Sequence, residues 1–149
     1  MSFKENNTTE EGADFRSVDL SFAEFRGSDL GEAIFFNAML FRANLSEANL
    51  TNADLRGANL TNADLSEANL TNADLRGANL TNINLSGADL RRADLRDVDL
   101  SSAKLEGVMI FSFTLSAQQL EDIKKSGYKI ELLKESSKIL TEGSIIQLV

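Results

Sequence analysis

Two residue types that build most enzyme sites are missing from this chain, which contains no cysteine and no histidine. Without cysteine, neither disulfides nor thiolate metal sites can form. Without histidine, the chain lacks the commonest general base, the usual activator of a nucleophile and the commonest imidazole ligand for metals. A conventional serine or cysteine hydrolase site is therefore excluded. We expect no enzymatic activity, no cofactor and no metal.

Proline is absent as well, so every backbone N–H remains available as a donor to a neighbouring strand. No hydrophobic run approaches the length of a transmembrane helix. The first ten residues are polar and contain no apolar segment of the kind that a signal peptide needs. These features predict a cytoplasmic protein that binds no membrane.

Positive charge is scarce, with 15 Lys and Arg against 23 Asp and Glu and a net charge of −8. Residues 11–115 carry 9 basic and 16 acidic groups, whereas residues 116–149 carry 5 of each. Such a surface should repel nucleic acid and anionic membranes rather than bind them. The acidic excess either keeps the chain in solution or imitates a polyanion.

A five-residue unit, A-(D/N)-L-x-x, recurs over residues 11–115. Its central residues stand at every multiple of five from Phe15 to Ile110, and sixteen of these twenty are leucine. Leucines with this period would form no stripe on a helix and would alternate between the two faces of a strand. Each unit therefore reads as a short extended segment followed by a turn. The central residue and the small residue two positions earlier point inward.

The length of one coil follows from two blocks, 46–65 and 66–85, which differ at only two positions. A twenty-residue coil contains four units and therefore has four sides. Coils at the usual strand spacing lie about 4.8 Å apart, so five coils make a rod roughly 24 Å long. The predicted fold class is an all-β solenoid.

The tandem units Ala53-Asp54-Leu55 and Ala58-Asn59-Leu60 resemble those of the pentapeptide-repeat protein family, in its A(D/N)LXX type. The resemblance implies a right-handed quadrilateral β-helix of about five coils with a short C-terminal α-helical cap. Regular, leucine-centred units of this kind are similar to those of cyanobacterial members. The best understood activity in the family is imitation of duplex DNA, which protects or inhibits DNA gyrase. The DNA-mimicking members usually show more phenylalanine at the centres than this chain does.

Beyond the repeat, the five-residue pattern is lost and the sequence predicts a helix followed by strands. Ser116 is a suitable N-cap with Gln119 as its capping-box partner, and Gly127 stops the helix. Residues 128–132 alternate as a strand would, and residues 138–149 are consistent with a hairpin around Glu142-Gly143. The predicted segments are a disordered lead (1–10), the β-helix (11–115), a capping helix (116–127) and a tail that packs on the rod or acts as a dimer arm (128–149).

Side chains twenty residues apart stack in columns on such a rod. Arginines form one column, which Phe36 interrupts, and glutamates form another: Arg16, Arg56, Arg76 and Arg96, and Glu47 and Glu67. These charges either pair with neighbouring aspartates or form a recognition stripe. The outward Asp and Asn ladders are not expected to bind Ca²⁺, which needs six to eight converging oxygens.

One stretch, residues 33–41, departs from the pattern. Ile34 and Met39 stand where Asp or Asn is usual, and Phe36 and Phe41 follow the next centres. Phe22 also points outward, one side earlier, whereas Phe15, Phe25 and Phe35 belong to the core. We therefore predict an apolar interaction patch, composed of Phe22, Ile34, Phe36, Met39 and Phe41. Four states remain open for it: covered by the chain's own tail, by a second subunit, by another protein, or simply exposed.

Two functions are compatible with these features. The first is a non-enzymatic interaction or scaffold protein that acts through its rod surface on an unknown protein partner, or as a homodimer. The alternative is an acidic DNA mimic that binds and modulates DNA gyrase or another topoisomerase. Neither function involves direct binding to nucleic acid.

Overall fold

Each five-residue unit contributes one bridge to its neighbour twenty residues away. The computed structural model describes residues 12–111, 115–128, 130–132 and 145–148. Within it, parallel bridges join residues i and i+20, from Asp14↔Ile34 to Asp89↔Met109. The bridges confirm the twenty-residue coil and build a parallel β-helix with four sides.

The backbone of one unit shows how the coils are joined. The N–H of Leu45 donates to the carbonyl of Asp64 in the next coil, at 2.7 Å. The N–H of Ala48 then donates back to the carbonyl of Leu45 at 3.1 Å and closes a turn. Glu47, within that turn, has a φ of +60°, as the third residue of a type II turn does. Asn and Gly recur at this position because they adopt positive φ at little cost.

The Asp or Asn of each unit supports the turn that follows it. The Oδ1 atom of Asn59 accepts the backbone N–H of Thr61 at 3.1 Å and its hydroxyl at 2.6 Å. Asp64 and Ser66 repeat the arrangement. The Asp and Asn residues therefore do more than face water, because each supplies an acceptor for a turn N–H that points away from the core.

The core is a stack of central residues with alanine beside them. Every centre from Phe25 to Ile110 is buried. Phe15 is only partly buried, and its ring stacks on that of Phe35 with the centroids 5.0 Å apart. The predicted core positions of Phe15, Phe25 and Phe35 are confirmed, although Phe15 lies where the described β-helix begins and has a neighbouring coil on one side.

Three short strands and one helix follow the coils: β1 (Met109–Phe111), α1 (Ala117–Lys125), β2 (Ile130–Leu132) and β3 (Ile145–Leu148). The strand order is β1-β3-β2, with β3 antiparallel to both neighbours. Strand β3 therefore attaches the C-terminal tail to the last coil, and Leu148 is buried. The predicted strand around 128–132 is present as β2. The predicted disordered lead (1–10) and the turn at Glu142-Gly143 lie outside the described residues.

Helix α1 begins with the capping box that the sequence predicts. Ser116 Oγ accepts the N–H of Gln119 at 3.1 Å, and Gln119 Oε1 accepts the N–H of Ser116 at 2.9 Å. The amide nitrogen of Gln119 also donates to the carbonyls of Leu95 and Val98, each at 3.0 Å. Ile123 is buried against the core. One side chain thus both caps the helix and holds it against the last coils.

Candidate interaction surface

One side of the β-helix carries a ladder of ion pairs. We call it the arginine side, and it consists of residues 14–16, 34–36, 54–56, 74–76 and 94–96. Arg56 and Asp54 form two short contacts, Nε to Oδ1 at 2.7 Å and an η-nitrogen to Oδ2 at 2.6 Å. Arg56 Nε also lies 3.7 Å from Asp74 Oδ2 in the next coil. Each of these arginines therefore makes its shortest contacts with the aspartate of its own unit, and a longer contact with the aspartate of the next coil.

The ladder changes the acidity of its carboxyl groups. Hydrogen bonds from the Arg56 side chain hold the pKa of Asp54 below its ordinary value, although partial burial opposes this effect. Arg76 and Arg96 lower the pKa of Asp74 and Asp94 in the same way. These aspartates stay ionised and paired, so the column acts as a structural ladder and its guanidinium groups are already engaged.

Ile34 and Phe36 interrupt this ladder in the second coil. The backbone of Ile34 forms parallel β-bridges with that of Asp14 in the preceding coil and that of Asp54 in the following coil. Phe36 is 37% exposed, and the guanidinium of Arg56 lies over its ring, 5.3 Å from the centroid. A shallow groove of about 430 Å³ opens here, and its lining is Arg16, Ile34, Phe36, Asp54 and Arg56. An apolar strip thus replaces one rung of an otherwise charged face.

The adjacent side, which we call the asparagine side (19–21, 39–41, 59–61 and 79–81), is interrupted in the same coil. Met39 stands in the column of Asn59 and is 46% exposed. Phe41 is partly buried because Phe22 packs edge-on against it, with centroids 5.6 Å apart. Arg42 covers Phe41 at 5.3 Å.

Phe22 is the most exposed large apolar residue described, at 61%. Its φ of +61° lies in the left-handed region, which is unusual for an aromatic residue. The turn itself accounts for the positive φ, which recurs at this position in most units, but it does not require an exposed aromatic ring, because Asn or Gly holds the same position in many other units.

The five patch residues lie on adjacent sides near the N-terminal end, as the register predicts, but they are not equally exposed. Phe22, Phe36 and Met39 are exposed, whereas Ile34 and Phe41 are half-buried. The described tail strands pair with β1 at the other end of the rod, so they do not cover the patch. That the patch is an interface stays a prediction.

Sequence reasoning missed one further apolar residue. Val18 stands at an inward position, two before the centre Leu20, yet it is 42% exposed. It belongs to the first described coil, so among the described coils only the following one packs against it. The exposure of Val18 could have been predicted from its position in the first coil of the repeat.

In the part of the chain that the structure describes, no three His, Cys, Asp or Glu side chains form a group that could hold a metal ion. None of the described helices is both long and apolar enough to cross a membrane.

Comparison with known proteins gives a repeat match along most of the rod. The sequence model described as "Pentapeptide repeats" matches eight copies, over residues 11–31, 43–82 and 73–108. A search of the curated proteins finds no match.

Several solved structures are similar in sequence over about two thirds of this chain. The pentapeptide repeat protein Rfr23 from the cyanobacterium Cyanothece 51142 is 45% identical, with a TM-score of 0.32, over 61% of this chain and 58% of that protein. The protein alr5209 from Nostoc PCC 7120 is 39% identical, with a TM-score of 0.28, over 65% and 68% of the two chains. HetL from Nostoc sp. strain PCC 7120, a protein involved in heterocyst differentiation regulation, is 27% identical, with a TM-score of 0.38, over 64% and 65%.

This chain therefore spans less than two thirds of the length of Rfr23 and HetL. The eight matched repeat copies, the twenty-residue coil and the turn chemistry of each unit agree on one family. Its members fold as right-handed quadrilateral β-helices and generally have structural or interaction roles. The chain belongs to the pentapeptide-repeat family.

Proposed function

We propose that this protein is a non-enzymatic interaction or scaffold protein, and that the patch of Phe22, Ile34, Phe36, Met39 and Phe41 is its contact surface. The observation that carries the proposal is the interruption of two polar ladders in the same coil. Folding does not require it, because the same columns hold Asp and Arg, or Asn and Thr, in the next coil. Exposed apolar clusters of this kind are typical of protein interfaces.

The proposal extends to the rest of the molecule. The rod has about five coils, as the bridges from Asp14 to Met109 support, and α1 with strands β2 and β3 caps its C-terminal end. The proposed segments are the lead (1–10), the β-helix (11–115), the capping helix (116–127) and the tail (128–149). The protein acts in the cytoplasm, without a cofactor and without binding nucleic acid or membrane.

The test uses variants that restore the repeat rather than damage it. In Met39→Asn/Phe41→Thr and in Ile34→Asp/Phe36→Arg, each new residue is the one that stands twenty positions later in the sequence. Asn79→Asp/Thr81→Ser changes the asparagine side away from the patch and serves as the control. Proteins captured from the native host by the wild type are identified, purified and titrated against all four chains by calorimetry.

We expect at least one identified partner to bind the wild type and the control equally. Loss of Phe and Met contacts from the centre of an interface should weaken its binding to a patch variant by about tenfold or more. Equal binding by all four chains would remove the patch from the proposal.

The DNA-mimic alternative rests on the net charge of −8. Arginine pairs with aspartate on the rod, as at Asp54, Asp74 and Asp94, so these carboxylates do not form the unbroken line of negative charge that duplex DNA presents. Supercoiling by DNA gyrase should therefore be unchanged by micromolar protein, with and without a quinolone. A dose-dependent change in supercoiling would restore this alternative.

A further inference from the structure

Arg42 is a cation at the end of the apolar patch, and no described carboxylate pairs with it. Its guanidinium carbon lies 5.3 Å from the centroid of the Phe41 ring. Its side chain is exposed and donates no hydrogen bond to any residue that the structure describes. The ring therefore holds one face of the guanidinium, while the N–H groups along its edge remain available to a ligand.

Other arginines of the coils are paired. Six of them contact a carboxylate at 3.1 Å or less: Arg16, Arg26, Arg56, Arg76, Arg91 and Arg96. Carboxylates are plentiful, since the chain has 23 acidic residues against 15 basic ones. The turn does not require an arginine either, because Asn62 and Asn82 hold the same position in the following coils. Folding alone therefore does not explain a cation at residue 42.

Two carboxylates of the preceding coil, Asp19 and Glu24, have other partners. Asp19 accepts the backbone N–H of Ser21 at 3.0 Å, and Glu24 accepts the side-chain amide of Asn44 at 2.8 Å. Because both are negative, they would repel a partner that carries many acidic groups. The partner is therefore expected to bring a single carboxylate, placed at Arg42.

The apolar residues and Arg42 follow one another along the second coil. Ile34 and Phe36 lie on the arginine side, Met39 and Phe41 lie on the asparagine side, and Arg42 lies in the turn that follows. A segment that runs along this coil would contact an apolar surface over two sides and a cation at its end.

We propose that the patch binds an apolar segment of another protein that carries one carboxylate at its end, and that Arg42 forms a bidentate ion pair with that carboxylate. This inference rests on the proposed function, because it names the chemistry of the partner for the same surface. The planar guanidinium matches a carboxylate in geometry. Arginine and aromatic residues are also enriched among the residues that dominate binding at interfaces. A neutral or basic segment would bury Arg42 without a counterion, which disfavours it.

The probe is a random peptide library displayed on phage. The library is selected on the full chain and depleted on Met39→Asn/Phe41→Thr, so that the recovered peptides depend on the patch. We expect these peptides to share aromatic or aliphatic residues and one Asp or Glu at a fixed place beside them. Recovered peptides are synthesised, and their affinities are measured by fluorescence anisotropy.

Variants of Arg42 test the ion pair. Arg42→Asn, which introduces the residue found at this turn position in the next coil, should weaken peptide binding by about tenfold or more. Arg42→Lys keeps the charge without the planar fork, so its affinity should be intermediate. Arg92→Asn is the matched control, because Arg92 holds the same turn position, with a φ of +62° against +55° for Arg42, in a later coil and on a different side. The control should bind as the wild type does, and circular dichroism confirms that each variant is folded.

A double-mutant cycle distinguishes a direct pair from a general loss of affinity. The second change replaces the peptide's carboxylate by the corresponding amide. It should weaken binding to the wild type by about tenfold but should have little effect on binding to Arg42→Asn, because the pair is already absent there. Additive effects of the two changes would overturn the pair.

Further outcomes would overturn the inference while leaving the proposed function standing. Recovered peptides that Arg42→Asn binds as tightly as the wild type would do so, and so would peptides without an enriched acidic residue. A library that yields no patch-dependent peptide overturns the inference as well, and calorimetry with the captured proteins then decides the proposed function separately. Self-association of the wild type that Met39→Asn/Phe41→Thr abolishes would place a second copy on the patch and overturn the proposed partner.

Discussion

The backbone N–H of Leu105 donates a hydrogen bond to the hydroxyl oxygen of Tyr128, at 3.0 Å. The two residues lie twenty-three positions apart, and Leu105 is a buried core residue near the end of the coils. In earlier coils the equivalent N–H donates to a carbonyl of the next coil, as Leu85 does to Lys104 at 2.9 Å. Tyr128 therefore supplies the acceptor that a further coil would otherwise offer to the N–H of Leu105. A repeat protein needs such capping groups at the end of its rod.

Tyr128→Phe should leave this N–H without its partner. We expect the free energy of unfolding to fall by about 1–3 kcal/mol, which is the usual effect of an unsatisfied polar group. Urea denaturation followed by far-ultraviolet circular dichroism measures it. An unchanged midpoint and slope would show that water replaces the hydroxyl.

Gln119→Glu should separate α1 from the rod. The Gln119 amide donates to the carbonyls of Leu95 and Val98, and a carboxylate has no hydrogen to donate. We expect a loss of about 1–3 kcal/mol in the same experiment. Gln118→Lys, on the exposed face of the same turn, is the control and should change stability by less than about 0.5 kcal/mol. Equal effects of the two changes would contradict the role of Gln119.

Acid should weaken the arginine side. Arg76 lowers the folded-state pKa of Asp74, whereas the unfolded value is near its ordinary one of about 3.9. The stability from this group is therefore fully present above the unfolded pKa and is lost as pH falls through the folded pKa. Asp74→Asn keeps an oxygen acceptor for the turn but removes the charge. It should be less stable than the wild type at neutral pH and should lose less stability below about pH 4. Parallel pH profiles of the two proteins would contradict this prediction.

The patch residues should prove unnecessary for folding. In Met39→Asn/Phe41→Thr, the new Asn has the acceptor and the new Thr has the two donors that Asn59 and Thr61 use. We expect the thermal midpoint to stay within a few degrees of the wild type or to rise, since the loss of ring contacts is offset by these hydrogen bonds. A fall of more than about 8 °C, beyond what 1 kcal/mol produces in a small domain, would give these residues a structural role.

Much of the architecture could be read from the chain because its interactions are local or strictly periodic. The turn in each unit joins residues only a few positions apart, as at Asn59 and Thr61. The twenty-residue bridges follow from the repeat period itself. The capping box at Ser116 and Gln119 is equally local. The outward directions of Ile34 and Met39 follow from their register alone.

The candidate site was less accessible to the same reasoning. Register gives the direction of a side chain but not its cover, so Phe41 is half-buried by Phe22 and Arg42 although it points outward. Val18 is the converse case, an inward position that is exposed because the first described coil has one neighbour.

The sequence by itself determined the coil length, the identity of the core residues and the columns in which surface residues stack. Each follows from a repeat that every unit satisfies independently. The tertiary structure alone decided that Arg56 lies closer to Asp54 than to Asp74 and that β3 lies between β1 and β2. It also decided that Tyr128 and Gln119 form hydrogen bonds with backbone groups of the last coils. These contacts depend on distances between side chains and on segments that occur once, so no period in the sequence encodes them.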